Sequence, residues 1–254
     1  MTVERIFRVL NRRMMKYIVH PVVGVFRESA WSIPGIRVER IGSAYGGGWI
    51  APDLLSPQSV AYSIGIGCDI TFDDLLIRKT GCTVFGFDPT PKSAEWIRTY
   101  PHVPQKFTFV PVGLADTTGR RKLYLPSNKE FVSGSITQDL HGGYVECDFC
   151  SLDDLMCRQN HSFIDLLKID IEGAEFALFD QWIYSAYHPP VGQIWVEFHP
   201  VLVGRQSSDA ARLVRELGRI DLVPMKRAYR QNPDHYLLIN RKFLDDLQAG
   251  KSGK

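Results

Sequence analysis

Leu166-Leu-Lys-Ile-Asp170-Ile-Glu172-Gly-Ala-Glu175 is an apolar run that breaks into three carboxylates with one glycine among them. A strand packed on both faces does not hold an unpaired carboxylate in its middle, because nothing there replaces water around the charge. Asp170 is therefore expected at the carboxyl end of a buried strand over Ile164–Ile169. The glycine and the acids that follow fit an abrupt turn into a helix. In open α/β sheets that edge is where ligands bind.

Outward from this stretch, strand-like and helix-like segments alternate from Val60 onward. Strands are expected over about Val60–Ile66, Thr83–Phe87, Phe107–Val112 and Gln193–Phe198. Helices are expected over about Phe72–Lys79, Lys92–Thr99 and Ala210–Leu217, with another marked by Ala174, Leu178 and Trp182. Arg120–Leu125 and Val145–Phe149 read as shorter strands of an inserted, turn-rich region, and Leu222–Lys226 with His235–Ile239 as a closing antiparallel pair. Such alternation implies an α/β fold, a mostly parallel sheet with helices on both faces.

This body is expected to occupy residues 59–245, with a flexible tail over 246–254 and an N-terminal segment, 1–58, holding a helix and an irregular cap. In the helix, over residues 1–19, Ile6, Leu10, Met14 and Ile18 recur at helical spacing, with Arg5, Arg8, Arg12, Arg13 and Lys16 among them. Such a stripe packs on its own domain or lies on a membrane surface. Residues 28–58 are rich in Gly, Pro and Ser, and Tyr45-Gly-Gly-Gly-Trp49 within them reads as a turn, free-standing or closing over a ligand.

The 254 residues are 44% hydrophobic, enough for a sizeable core, and the net charge of +2 is too weak for a dedicated nucleic-acid binder. No apolar run is long enough to cross a bilayer. A cytoplasmic enzyme is the expectation. Five cysteines, an odd number in a chain of this size, argue against a disulfide framework. Cys147 and Cys150 lack the second pair that a structural zinc site needs, and read as two strand cysteines on opposite faces.

The first strand of the body ends in Ser63-Ile-Gly65-Ile66-Gly67-Cys-Asp69 and the second in Gly86-Phe-Asp88-Pro-Thr-Pro91. Glycines after a buried strand let the backbone approach a ligand closely. An acidic residue about 20 residues further on is placed to accept hydrogen bonds from ribose hydroxyls. Ile70 stands where a dinucleotide fingerprint has its third glycine, and no Gly-Lys-Ser/Thr follows to make a phosphate loop. An adenosine ligand without a pyrophosphate fits better, and S-adenosylmethionine is the common one. Gly65, Ile66, Gly67 and Asp88 are the candidate cofactor-binding residues. Asp116, in Gly113-Leu-Ala-Asp116, either joins them at the adenine edge or caps a turn.

The candidate catalytic residues are Asp170, Glu172, Glu197 and His199, the last two in Trp195-Val-Glu197-Phe-His199-Pro200 at the end of the next strand. If the two strands are neighbours, all four meet in one crevice beside the nucleoside. Methylating a hydroxyl requires its proton to leave, and an alcohol is about as weak an acid as water, with a pKa of roughly 15.7. Either Asp170 or His199 acts as the base, or Asp170, Glu197 and His199 ligate a divalent cation, Mg²⁺ or Mn²⁺. The metal-free version is preferred, because Glu and His alternating on a strand is a loose ligand pattern. Glu175 is expected to serve the helix dipole, and Lys168 to pair with Asp170.

The run Leu167–Glu175 resembles the signature of the FkbM-type methyltransferases, which use S-adenosylmethionine. Tyr45–Trp49, Tyr62–Asp73, Phe87–Pro91, Gly113–Asp116 and Val196–His199 resemble a bacterial branch of that family, in the same order along the chain. The resemblance implies a class I methyltransferase, Rossmann-like, with a seven-stranded sheet. It further implies O-methylation of a sugar or a polyketide-type hydroxyl. By position it makes Gly65, Gly67 and Asp88 cofactor contacts and lines the active site with Asp170 and Glu172. Ser63 and Asp69 stand where many class I enzymes have an acid and a third glycine, and Cys68 where the branch usually has Glu.

The expected partner is a small-molecule hydroxyl acceptor rather than a nucleic acid. Two rivals are a ribose 2′-O-methyltransferase acting on RNA, for which Lys168 beside Asp170 speaks, and a non-catalytic partner protein that keeps only the nucleoside site. A cluster of four acid–base side chains is more than a binding module needs.

Overall fold

The computed structural model describes residues 33, 35–128, 133–227 and 233–252. The helix expected over residues 1–19 lies outside them. Seven strands form the main sheet: β3 (Val60–Ile64), β4 (Thr83–Phe87), β5 (Phe107–Val110), β9 (Ile164–Ile169), β10 (Val191–Glu197), β11 (Leu222–Arg227) and β12 (His235–Asn240). Their order is β11-β12-β10-β9-β3-β4-β5. β5, β4, β3, β9 and β10 pair in parallel, and β12 runs antiparallel to both β10 and β11. This is the class I arrangement that the resemblance implied, with its antiparallel pair at the C-terminal end.

The chain builds one half of the sheet outward from β3 and the other outward from β9, so the topological switch lies between these two. Ile64 is in register with Phe87 on one side and Ile169 on the other, and Ile169 with Val196. The carboxyl ends of four strands therefore finish at one level, where α/β sheets bind ligands.

Alternation along each strand sends side chains to both faces. Leu167 and Ile169 of β9 join a core closed by α3 (Leu152–Gln159), α4 (Glu175–Tyr184) and α5 (Ser207–Glu216), through Leu155, Phe179 and Leu213. Leu166 points the other way, into a core closed by α1 (Thr71–Thr80) and α2 (Pro91–Thr99) through Phe72, Leu76 and Ile97. The helix ends follow local chemistry. α1 has Asp73 and Asp74 in its first turn, Arg78 and Lys79 in its last, and Gly81 left-handed at its end. The Thr90 and Ser151 hydroxyls cap α2 and α3, accepting from the Ser93 and Asp154 amides.

Three expectations are corrected. Residues 35–58 are not simply an irregular cap, since β1 (Glu39–Ile41) and β2 (Gly48–Ile50) form an antiparallel hairpin. Its glycines are packing positions: a Cβ on Gly48 would come within 2.5 Å of the Trp195 indole. The tail expected to be flexible from residue 246 is helical, within α6 (Arg241–Ser252). The strand expected over Val60–Ile66 stops at Ile64 because Gly65 turns left-handed, at φ +79°. The inserted region is a separate three-stranded sheet of β6 (Gly113–Leu114), β7 (Gly119–Pro126) and β8 (His141–Cys150). Cys147 and Cys150, both buried and free, sit in different hydrophobic clusters.

Candidate active site

A cleft with about 730 Å³ of open space, its mouth included, lies over the switch point. Its floor is the turn after β3, Gly65-Ile-Gly67, and the start of the β9–α4 loop with Asp170 and Glu172. Phe149 and Pro89 meet over Gly113 and, with Leu114, make the apolar part of the lining on the Asp88 side. The other end is acidic. Leu123, Ser133 and Ile136 of the inserted region and Tyr45 and Gly46 of the β1–β2 hairpin also line it.

Gly65 has no freedom to be another residue. A Cβ there would lie 1.8 Å from the Asp170 carbonyl oxygen, far inside contact distance. The Asp170 amide also donates to the Ile64 carbonyl at 3.2 Å, so the glycine turn and the acidic loop touch backbone to backbone. Asp88 is buried and accepts from the Gly67 amide at 2.9 Å and the Thr90 amide at 2.8 Å. The Thr90 hydroxyl adds a bond of 2.5 Å. Burial raises the Asp88 pKa against the pull of these donors. Asp69, which replaces a glycine of many class I enzymes, holds the hairpin: its carboxylate accepts from the Ser43 hydroxyl at 2.5 Å and from the Thr71 amide at 2.8 Å.

At the acidic end β9 and β10 are neighbours, and their ends bring Asp170, Glu172, Glu197 and His199 together as expected. Asp170 and Glu172 line the cleft. His199 stands behind them, 8% exposed, with Nε2 3.6 Å from Asp170 Oδ1, 3.6 Å from Glu172 Oε2 and 3.8 Å from Glu197 Oε1. Burial, then the neighbouring charge of Glu197, pushes the Asp170 carboxyl up to about 7. Burial opposes charging His199, but Glu172 and Glu175 outweigh it and raise its pKa. Glu172 sits at φ +51°, a strained conformation for a non-glycine residue and one that clusters at functional sites.

Glu175 does more than serve the helix dipole. It is fully buried, and its carboxylate accepts from the Ile171 amide at 3.0 Å, the Gly173 amide at 2.9 Å and His199 Nδ1 at 2.9 Å. The partner that reveals this lies 24 residues away, beyond any local pattern. His235, not anticipated, brings Nε2 to 2.9 Å from Glu197 Oε1, without the alignment of a good hydrogen bond. Asp73, also not anticipated, is buried in the first turn of α1 near Lys168, and burial pushes its carboxyl up to about 6. Lys168 Nζ is 4.0 Å from Asp170 Oδ2, and its side chain, 5% exposed, is part of the cleft lining.

Asp116 lies outside this cleft. It sits in the turn before β7, where its carboxylate holds Arg121 at 2.7 Å and accepts from the Thr117 amide at 2.9 Å. The contacts it makes are those of a turn residue.

Among the described residues no helix is long and apolar enough to cross a membrane. A family model, the methyltransferase FkbM domain, matches residues 61–230. The chain is similar to the probable methyltransferase-like protein 24 of Homo sapiens, 25% identical over 150 residues, which cover 59% of this chain and 35% of that protein. Its Rattus norvegicus counterpart is 24% identical over the same shares. The matched region thus spans about a third of the length of these curated relatives. Two solved structures show a distant likeness. The Methanococcus jannaschii fibrillarin pre-rRNA processing protein has a TM-score of 0.43 at 9% identity, over 87% of this chain and 86% of that one. M. capricolum TrmK in complex with S-adenosyl-homocysteine has a TM-score of 0.39 at 8% identity, over 75% of this chain and 65% of that one.

Proposed function

The chain belongs to the FkbM methyltransferase family, and from that premise we propose that it transfers the methyl group of S-adenosylmethionine to a hydroxyl of a small molecule, a carbohydrate or a polyketide-type acceptor. The observation that carries this reading is the polarity of the cleft: an apolar slot beside Asp88 at one end and Asp170 with Glu172 at the other, joined by the Gly65–Gly67 turn. An adenine ring suits the slot, and the ribose lies toward Asp88. The sulfonium is a cation, so an acidic end attracts it.

In the reaction an acceptor oxygen attacks the methyl carbon in line with the carbon–sulfur bond. That bond breaks, its electron pair stays on sulfur, and neutral S-adenosylhomocysteine leaves. The hydroxyl proton goes to Asp170, the carboxylate at the cleft floor beside the glycine turn. The protein's remaining task is alignment, which is worth much of the barrier when both reactants are held.

Calorimetric titration with S-adenosylmethionine and S-adenosylhomocysteine tests the cofactor, with Asp88→Ala alongside. Saturable heat in the parent protein and its loss in the variant are expected; no heat from either ligand, in a folded sample, overturns the reading. Radiolabelled methyl incorporated into sugar or polyketide hydroxyls should resist alkaline hydrolysis, as an ether does. A base-labile product would identify a carboxyl acceptor instead.

A further inference from the structure

Lys168 is the only basic side chain among the described residues that line the cleft. It sits on β9, the central strand, in register with Ser63 of β3 and Trp195 of β10. Its strand neighbours Leu166, Leu167 and Ile169 are fully buried and apolar, and its own side chain is 5% exposed. Burying an ammonium is costly unless it is paired and hydrogen-bonded. The acids around it leave that pairing incomplete. Asp170 Oδ2 stands 4.0 Å from Nζ, against about 2.7–2.9 Å for a charge-assisted hydrogen bond. Asp73, buried in α1, attracts the ammonium, yet its Oδ1 has no hydrogen-bond partner. The centroid of the Phe72 ring lies 6.0 Å from Nζ, at the outer limit of a cation–π contact.

We infer that Lys168 is a carboxylate anchor: its Nζ receives the α-carboxylate of S-adenosylmethionine, in the methyl-transfer reading on which this inference rests. The cofactor carries three charges, a sulfonium, an ammonium and a carboxylate. Asp170 and Glu172 favour the two positive ones and repel the third. A carboxylate brought from water into that end of the cleft needs a cation, and among the described lining residues Lys168 alone supplies one.

The reach agrees. Four bonds separate the sulfur from the carboxyl carbon, about 5 Å at full stretch. A sulfonium beside Asp170 therefore leaves the carboxylate able to meet an ammonium that stands 4.0 Å from Asp170 Oδ2. An ammonium has three donors on a flexible stem, so it can turn one to the ligand while still facing Asp73 and Asp170. This gives a use to a lysine in a strand whose neighbouring side chains are otherwise apolar core.

The test is calorimetric titration of the full chain with S-adenosylhomocysteine and with its decarboxylated analogue, which keeps the adenosine, the thioether and the amine. In the parent protein, loss of the carboxylate should weaken binding roughly 10–100-fold, as expected for a hydrogen bond between charged groups. Lys168→Met, shown to be folded by circular dichroism, should weaken S-adenosylhomocysteine by a similar factor. The same variant should bind the analogue at least as tightly as the parent does, because the analogue's one charge is positive and the ammonium that repels it is gone. Equal affinity of the parent for the two ligands overturns the anchor and leaves the cofactor reading standing, and that comparison needs no variant. A folded Lys168→Met protein that loses both ligands to the same degree also overturns it, and makes the lysine a structural partner of Asp73 and Asp170. A folded parent that binds neither ligand overturns the anchor and the methyltransferase reading together.

Discussion

Glu175 Oε1 lies 2.9 Å from His199 Nδ1, and the carboxylate that makes this contact is fully buried. A helix-dipole role for Glu175 would be worth about 0.3–1 kcal/mol. The observed network is larger, because removing the carboxylate strands two amides and a histidine at once. Glu175→Ala is therefore expected to cost about 3–5 kcal/mol, measured by the urea midpoint. A loss below about 1 kcal/mol would return Glu175 to the dipole role alone.

Gly65 and Gly204 both have left-handed backbones, at φ +79° and +68°, but only Gly65 is also crowded. A Cβ on Gly204 meets nothing within 4 Å. Gly204→Ala should therefore cost about 1–2 kcal/mol, the price of the conformation. Gly65→Ala, driven against the Asp170 carbonyl, should cost more than about 4 kcal/mol and abolish nucleoside binding. Equal losses in thermal melts of the two variants would contradict the close approach.

Asp73 gives a pH signature. Its folded pKa is pushed up to about 6 by burial, against the attraction of Lys168, while an unfolded aspartate titrates near about 3.9. The folded state therefore holds the proton more tightly. The stability this contributes is complete below about pH 4 and is lost as pH rises through about 6. Asp73→Asn removes the titration, so it should be more stable than the parent by up to about 3 kcal/mol at pH 8, with the gain shrinking toward pH 4. A pH-independent difference in denaturation midpoint would contradict it.

The acidic end of the cleft should distinguish the charged cofactor from its neutral product. Asp170→Asn is expected to weaken S-adenosylmethionine binding by ~1–2 kcal/mol, roughly 5–30-fold, with S-adenosylhomocysteine affected much less. Equal weakening of both ligands in calorimetry would place the sulfonium away from Asp170.

Local chemistry carried much of the reading. β4 and β9 have the limits expected from their apolar runs, and Asp170 stands where a buried strand must end. Features that depend on contacts across the fold were not legible. Tyr45–Trp49 reads as a turn because nothing local shows that Gly48 packs on Trp195, nearly 150 residues on. Asp116 sits after a strand as an adenine contact would, but Arg121 claims it. α3 is absent from the expected elements although Ser151 and two aspartates announce its start, a local signal masked by the strand-like cysteine pattern before it. Glu197 closes β10 and His199 follows just beyond it, a pattern that leaves a base and a ligand set both open; the additional hold of Glu175 on the imidazole becomes visible only when the chain is folded.

The contact between Gly65 and the Asp170 carbonyl has a further consequence for how such a chain can diverge. The hairpin, the inserted sheet and the α2 side of the cleft are supplied by separate segments, and each can be exchanged to suit a different acceptor. The joint between the glycine turn and the acidic loop is made of backbone on both sides. It offers no side chain whose replacement could absorb a shift, so the two motifs descend together or the site is lost.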